Sequence, residues 1–158
     1  MQFKEERTFV LLKPDTIQRS LVGEVTTRFE KKGLKLVAMK MMRLDEALLR
    51  EHYAHIADKD FYPGVEAFMK SSPVIAMCWE GLEVVQAVRI LCGITKSRVA
   101  DAGSIRGDLA MSIACNIIHA SDSVENAKAE IARFFTAEEM FEYKKSDYED
   151  VYTEEERA

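Results

Sequence analysis

Residues 7–13, RTFVLLK, constrain the fold more than any other stretch, because polar and apolar residues do not alternate along them. A strand with one wet face alternates, whereas a run like this one is a strand covered on both faces. Three further runs read as strands: KLVAMKMMR over 35–43, VIAMCW over 74–79 and CNIIH over 115–119. Pro14 ends the first strand. Ser20 is placed to cap a helix in which Leu21, Val25 and Phe29 recur every fourth residue, and Gly33 stands where a left-handed C-terminal cap belongs. A short helix starts near Asp45 and carries Leu48, Leu49 and Tyr53, and another covers roughly residues 63–70 before Ser71, Ser72 and Pro73 break it. Glu83 to Leu91 is a helix with Val84, Val88 and Leu91 on one face and Gly93 at its end. Asp122 or Ser123 caps a last helix through Arg133, with Val124, Ala127 and Ile131 facing inward. Crossover helices after the first and third strands predict an α+β fold, a ferredoxin-like split βαβ with an antiparallel four-stranded sheet covered by helices. Residues 93–114, with Gly93, Gly103 and Gly107, read as a loop of more than twenty residues, a length that in a compact domain usually serves function.

At 158 residues the chain is expected to be one domain. Its 22 Lys and Arg against 27 Asp and Glu give a net charge of −5, which argues against a nucleic-acid partner and at first against any polyanion. The charge is unevenly spread. From Thr136 onward nine acids face three bases, a balance of −6, while residues 1–135 hold 19 bases and 18 acids. This end reads as a solvated acidic tail, with Tyr143, Tyr148 and Tyr152 as the residues that could dock it. The first apolar run, FVLL, is far too short for a signal peptide, and no stretch approaches the ~20 residues of a membrane span. Cys78, Cys92 and Cys115, odd in number and set among apolar neighbours, read as buried free thiols in a reducing, cytoplasmic compartment.

Chemistry concentrates in NIIHASDS, residues 116–123. His119 ends a strand, Ala120 leaves room beside it, Ser121 offers a hydroxyl, and the following helix carries Glu130. Ser123, Ala127 and Glu130 share a helix face, so the carboxylate can lean toward the strand and hold one imidazole nitrogen protonated. A neutral imidazole in that setting acts as a nucleophile or a base. His52 and His55, three apart on a helix, have no third metal ligand in view and read as solvent-exposed. No GxxxxGK[ST] occurs, so phosphate binding would fall to side-chain cations.

Taken with ERTFVLLKPD, SLVGEV, HY at 52–53, FYPG at 61–64 and SIRGD at 104–108, the NIIHASDS segment closely resembles the nucleoside diphosphate kinase family, over residues 5–143. The resemblance implies a kinase domain over 1–143 with an acidic extension over 144–158. It implies ping-pong transfer of the γ-phosphate of a nucleoside triphosphate, typically ATP, to a nucleoside diphosphate through phosphorylated His119, with Mg²⁺ carried on the nucleotide phosphates rather than by protein side chains. By motif match, Lys13 looks like the lysine of phosphate and ribose, and Tyr53 like the tyrosine beside the catalytic histidine. Phe61 looks like the ring stacked on the base, with Ile113 closing the base's other face. Arg89, Thr95 and Arg106 look like phosphate ligands, Asn116 like the partner of the ribose 3′-hydroxyl, and Ser121 and Glu130 like support for His119. The resemblance also implies a homo-oligomer, a hexamer first, with a tetramer or dimer as alternatives, and no membrane or specific nucleic-acid partner.

Asn116 and His119 lie three apart and would face opposite ways in a regular strand, so a shared nucleotide requires the backbone near Ile117 to leave β geometry. Two departures from the family pattern stand out. Gly93-Ile94-Thr95-Lys96-Ser97 has serine where the family usually has proline, which should loosen that loop by about 0.4–1 kcal/mol. Ala114 and Cys115 replace a frequent Gly and Arg. The rival readings are a fold relative that binds nucleotide or a protein without turnover, and an RNA-binding module, for which the aromatic signature is missing.

Overall fold

The computed structural model describes residues 5–157. Four strands, β1 (Glu5–Leu12), β2 (Lys35–Met42), β3 (Val74–Leu82) and β4 (Ile118–Ala120), form one sheet in the order β2-β3-β1-β4. Every neighbouring pair is antiparallel. β1 and β2 therefore run the same way with β3 between them, and β3 and β4 likewise flank β1, which is the expected split βαβ arrangement. The first crossover holds α1 (Pro14–Gln18) and α2 (Val22–Lys31), and α3 (Glu46–His52) with α4 (Tyr62–Lys70) lead from β2 to β3. α5 (Val84–Cys92) and α6 (Ile105–Leu109) belong to the second crossover, and α7 (Val124–Phe134) follows β4. α8 (Tyr148–Val151) and α9 (Glu154–Arg157) end the described chain.

β1 explains the layering. Val10 and Leu12 join a core with Val25, Phe29, Val84 and Val88, whereas Phe9 and Leu11 join another with Leu49, Met69, Ile131 and Phe134. All four β1 residues are fully buried, so the strand is covered on both faces as its missing alternation requires. Asp45 caps α3 by accepting from the Leu48 amide at 2.8 Å, and Ser123 caps α7 by accepting from Asn126 at 3.1 Å. Gly33 and Gly93 close α2 and α5 with φ of +96° and +79°, values that disfavour any residue with a Cβ.

Five expectations are corrected. Ser20 caps nothing: it sits at φ +57° in the turn between α1 and α2, and Leu21 occupies the N-cap position without a side-chain bond. Residues 93–114 are not one loop, because a 3₁₀ turn (Ser97–Val99) and α6 lie within them, the latter capped by Ser104, which accepts from Gly107 at 3.0 Å. A five-residue helix containing glycine leaves no periodic trace in sequence. The last strand is Ile118–Ala120 rather than 115–119, since residues 115–117 bend away from the ladder. In consequence Cys115 is exposed, while Cys78 and Cys92 are buried as expected. The tail is not simply solvated: Val151 packs against Gly33, and the Tyr152 hydroxyl accepts from the Leu82 amide at 3.4 Å. Its acids Glu149, Asp150, Glu154 and Glu155 stay in water.

Candidate active site

The site forms where β4 passes β1 and the chain between α5 and β4 folds over its end. Ile117 sets the geometry. It has φ +74°, rare for a β-branched residue, and Ile118 N–H donates to the Asn116 carbonyl at 2.8 Å, closing a γ turn of the strained positive-φ form. Neighbours hold it in place: the Ile117 amide donates to Asp15 Oδ2 at 2.9 Å, and its carbonyl accepts from the Lys13 amide at 2.9 Å and the Thr16 hydroxyl at 2.5 Å. This is the break from strand geometry that the three-residue spacing of Asn116 and His119 requires, and both side chains line one cavity of about 790 Å³.

His119 sits on β4 opposite Leu11. Its Nε2 lies 3.0 Å from Glu130 Oε1 on α7, and the Ser121 hydroxyl donates to Glu130 Oε2 at 2.5 Å. Burial alone would raise the Glu130 carboxyl, but the bonds from His119 and Ser121 outweigh it and hold the group below the usual carboxylate range. An ionised carboxylate only accepts, so Nε2 carries the proton and the lone pair of the neutral ring is on Nδ1.

Lys13, Tyr53, Arg89, Thr95 and Arg106 line the same cavity. Lys13 Nζ donates to Asn116 Oδ1 at 2.7 Å, and burial together with the Arg106 charge lowers its pKa to about 8. The Asn116 amide nitrogen in turn donates to the carbonyls of Ile113 at 3.1 Å and Thr95 at 3.3 Å. Arg106 is buried and already engages three carbonyls, those of Asn116 at 3.3 Å, Gly93 at 2.7 Å and Ile118 at 2.5 Å. A guanidinium has five N–H groups, so two remain for an anion. Arg89 is exposed at the rim. Burial and the Glu130 charge push the Tyr53 hydroxyl up to about 12, which keeps it protonated. Ser121 is wholly buried behind Glu130, while Phe61 and Ile113, each 59% exposed, stand outside the cavity lining.

His52, Arg133 and Asp122 line the cavity although the sequence alone assigns none of them to the site. His52, expected in solvent, is only 7% exposed. Its ring packs edge-on to His119 at 4.8 Å and against Phe134 at 5.2 Å. Burial and the adjoining His119 and Arg133 lower its pKa to about 3, so it is neutral at ordinary pH. His55 is exposed, as read. Arg133 donates to His52 Nδ1 at 3.2 Å; its place three residues after Glu130 on one helix was the available signal. Asp122, anticipated only as a cap, also lines the cavity and accepts from Asn126 Nδ2 at 2.5 Å.

Comparison with known proteins agrees with this geometry. The profile of the nucleoside diphosphate kinase family matches residues 6–140. Nucleoside diphosphate kinase A2 of Xenopus laevis is 49% identical over 152 residues, covering 96% of this chain and 99% of its own. The nucleoside diphosphate kinase of Parabacteroides distasonis is 48% identical over 151 residues with the same coverage, 96% and 99%. Among solved structures, a halophilic nucleoside diphosphate kinase from Halobacterium salinarum in complex with CDP superposes with a TM-score of 0.91 at 44% identity, covering 94% of this chain and 99% of that one. A match that spans both crossovers, the γ turn and the His119 strand leaves one assignment: the chain belongs to the nucleoside diphosphate kinase family.

Proposed function

We propose that the chain moves the γ-phosphoryl group of a nucleoside triphosphate, typically ATP, to a nucleoside diphosphate in two half-reactions at His119. The observation that carries this reading is the His119–Glu130–Ser121 chain of hydrogen bonds, which fixes the proton on Nε2 and leaves Nδ1 nucleophilic. Nδ1 attacks the γ-phosphorus in line; the N–P bond forms as the bridging P–O bond breaks, and the diphosphate departs with the bonding pair. The Nε2 proton stays where it is, and the positive charge the ring gains lies against the Glu130 carboxylate. A second diphosphate then attacks the phosphorus from the same cavity, which is ping-pong logic.

Phosphoryl transfer needs mostly positioning and charge neutralisation. Lys13, Arg89 and the two uncommitted N–H groups of Arg106 supply positive charge, and the Thr95 hydroxyl adds a donor. Asn116, tied to Lys13, is suited to the ribose 3′-hydroxyl, and the protonated Tyr53 stands beside the histidine pair. Phe61 and Ile113, apolar and each more than half exposed, are assigned the two faces of a base on the family resemblance. Stacking reads no base edge, so purines and pyrimidines should both serve.

The family's divalent metal is here taken to be Mg²⁺. The carboxylates lining the cavity are Glu51, Asp122 and Glu130; Glu130 is committed to His119 and Ser121, and Asp122 to Asn126. This set offers no oxygen cage, and it fits a metal that arrives on the nucleotide with its own waters. When bound, Mg²⁺ would neutralise phosphate charge, and Asp122, whose Oδ2 is not engaged by Asn126, would accept from one of its waters.

The same reading takes residues 1–143 as the kinase domain and 144–158 as an acidic extension, with a cytoplasmic location supported by the two buried free thiols. No helix among the described residues is long and apolar enough to cross a membrane. A homo-oligomer is supported by Met39 and Met41 exposed on edge strand β2, and the family resemblance favours a hexamer.

The test is labelling with γ-labelled ATP. The chain should acquire one acid-labile phosphate, and His119→Ala should acquire none; an unlabelled wild-type chain would leave a nucleotide-binding relative without turnover.

A further inference from the structure

His52 is the buried group that the transfer reaction does not use. Its Nε2 has no hydrogen-bond partner although the residue is 7% exposed, and its ring lies against that of His119. One ring nitrogen of His52, one of His119 and one carboxylate oxygen of Glu130 all lie within 4.8 Å of one another, the one such group of potential metal ligands among the described residues. We propose that His52, His119 and Glu130 form a site for a borderline-soft divalent cation of the Zn²⁺ class, and that this cation and a phosphoryl group exclude each other at His119.

Two imidazoles and one carboxylate are a known ligand set for zinc and leave its fourth position open, here to the cavity. At Zn–N distances of about 2.0–2.1 Å, tetrahedral ligands stand roughly 3.4 Å apart. His119 and Glu130 are already at 3.0 Å, so closure falls to the His52 side, where the limiting separation is 4.8 Å. Coordination through Nε2 moves the His52 proton to Nδ1 with no net release, and Arg133, whose Nη1 gives up its 3.2 Å contact there, keeps Glu51 3.3 Å from its Nε. Mg²⁺ prefers an all-oxygen octahedron, so the cation that travels with the nucleotide should not compete.

Exclusion follows from the ring itself. The His119 nitrogen that faces Glu130 is Nε2, so a metal held there sends its proton to Nδ1 and removes the nucleophile; a ring phosphorylated on Nδ1 that keeps its Nε2 proton has no lone pair to give. This second half of the proposal rests on the phosphohistidine reading, while the binding half does not.

Equilibrium dialysis of the full chain against Zn²⁺ tests it. One ion per chain is expected with a dissociation constant in the micromolar range or tighter, unaffected by millimolar Mg²⁺. His52→Gln should weaken binding at least tenfold, and His119→Asn likewise, each with its fold checked by circular dichroism. Cys115→Ser should leave it unchanged, because that exposed thiol is not a ligand. No binding to the wild-type chain, binding that survives both histidine substitutions, or binding lost in Cys115→Ser would overturn the site. Chain phosphorylated beforehand should bind Zn²⁺ at least tenfold more weakly, and equal binding would overturn the exclusion. Failure of the wild-type chain to take up phosphate at all would instead count against the kinase reading, with the dialysis result standing by itself.

Discussion

Single side chains in this site carry tasks that follow from what surrounds them. Lys13 is an ammonium group whose burial, together with the neighbouring Arg106 charge, favours its neutral form, and its pKa falls to about 8. The cation is therefore present below that pH and lost above it. Affinity for a nucleoside diphosphate should hold up to pH 8 and then weaken by up to about tenfold per pH unit. Titration calorimetry from pH 6.5 to 9.5 checks this, and Lys13→Arg, which keeps its charge, should flatten the decline. A decline equally steep in the arginine variant would assign it to another group. Residues of this kind were legible when their partners were near in sequence. His119, Ser121 and Glu130 fall within twelve residues on a strand and the helix after it, so helical spacing alone brings the carboxylate to the ring. His52 and Arg133 meet across 81 residues, a contact no local pattern encodes, so the burial of His52 has no signature in the sequence around it.

Among the elements, the γ turn at Ile117 is the most consequential. Backbone strain of this kind costs about 1–3 kcal/mol and persists only where neighbours over-determine it. Asp15 is one such neighbour, accepting the Ile117 amide at 2.9 Å. Asp15→Ala should cost about 1–3 kcal/mol by leaving that amide unpartnered, and should slow phosphorylation of His119 by letting Asn116 and His119 fall out of line. Asp15→Asn keeps an acceptor and should lose less of both. Thermal unfolding and the single-turnover labelling rate separate the effects; reduced stability with an unchanged rate in Asp15→Ala would refute the alignment role. Ser97 opens the 3₁₀ turn, is 2% exposed, and its hydroxyl has no partner. Lys96 before it has φ −77° and ψ 87°, outside the helical region that a following proline disfavours. Ser97→Pro should therefore stabilise the chain by about 0.4–1 kcal/mol, read as a rise in melting temperature of roughly 1–4 °C. The first three strands and the larger helices were legible from apolar runs and fourfold spacing, the last strand only in its closing residues, and the bend at Ile117 from the parity of a three-residue interval. α6 and the 3₁₀ turn were not, because elements of three to five residues are fixed by their caps and contacts rather than by a repeat.

For the molecule as a whole, net charge was a poor guide to the ligand. The net charge of −5 discouraged a polyphosphate, yet the tail carries −6 and the rest of the chain +1, and the cavity is lined by Lys13, Arg89, Arg106 and Arg133. The tail itself docks by Val151 and Tyr152 and pairs Glu139 with Lys40 and Glu142 with Arg7, while Glu149, Asp150, Glu154 and Glu155 face water, an arrangement that composition could not distinguish from a solvated extension. The fold brings the Lys13 turn, the loop after α5, β4 and α7 to one cavity, so donor and acceptor nucleotides must use it in turn. The isolated phosphorylated chain, freed of nucleotide and mixed with unlabelled CDP, tests that claim most directly. The account predicts that the label leaves the protein and appears in CTP in near-stoichiometric amount. Label that stays on the chain, or is released only as inorganic phosphate, would contradict it.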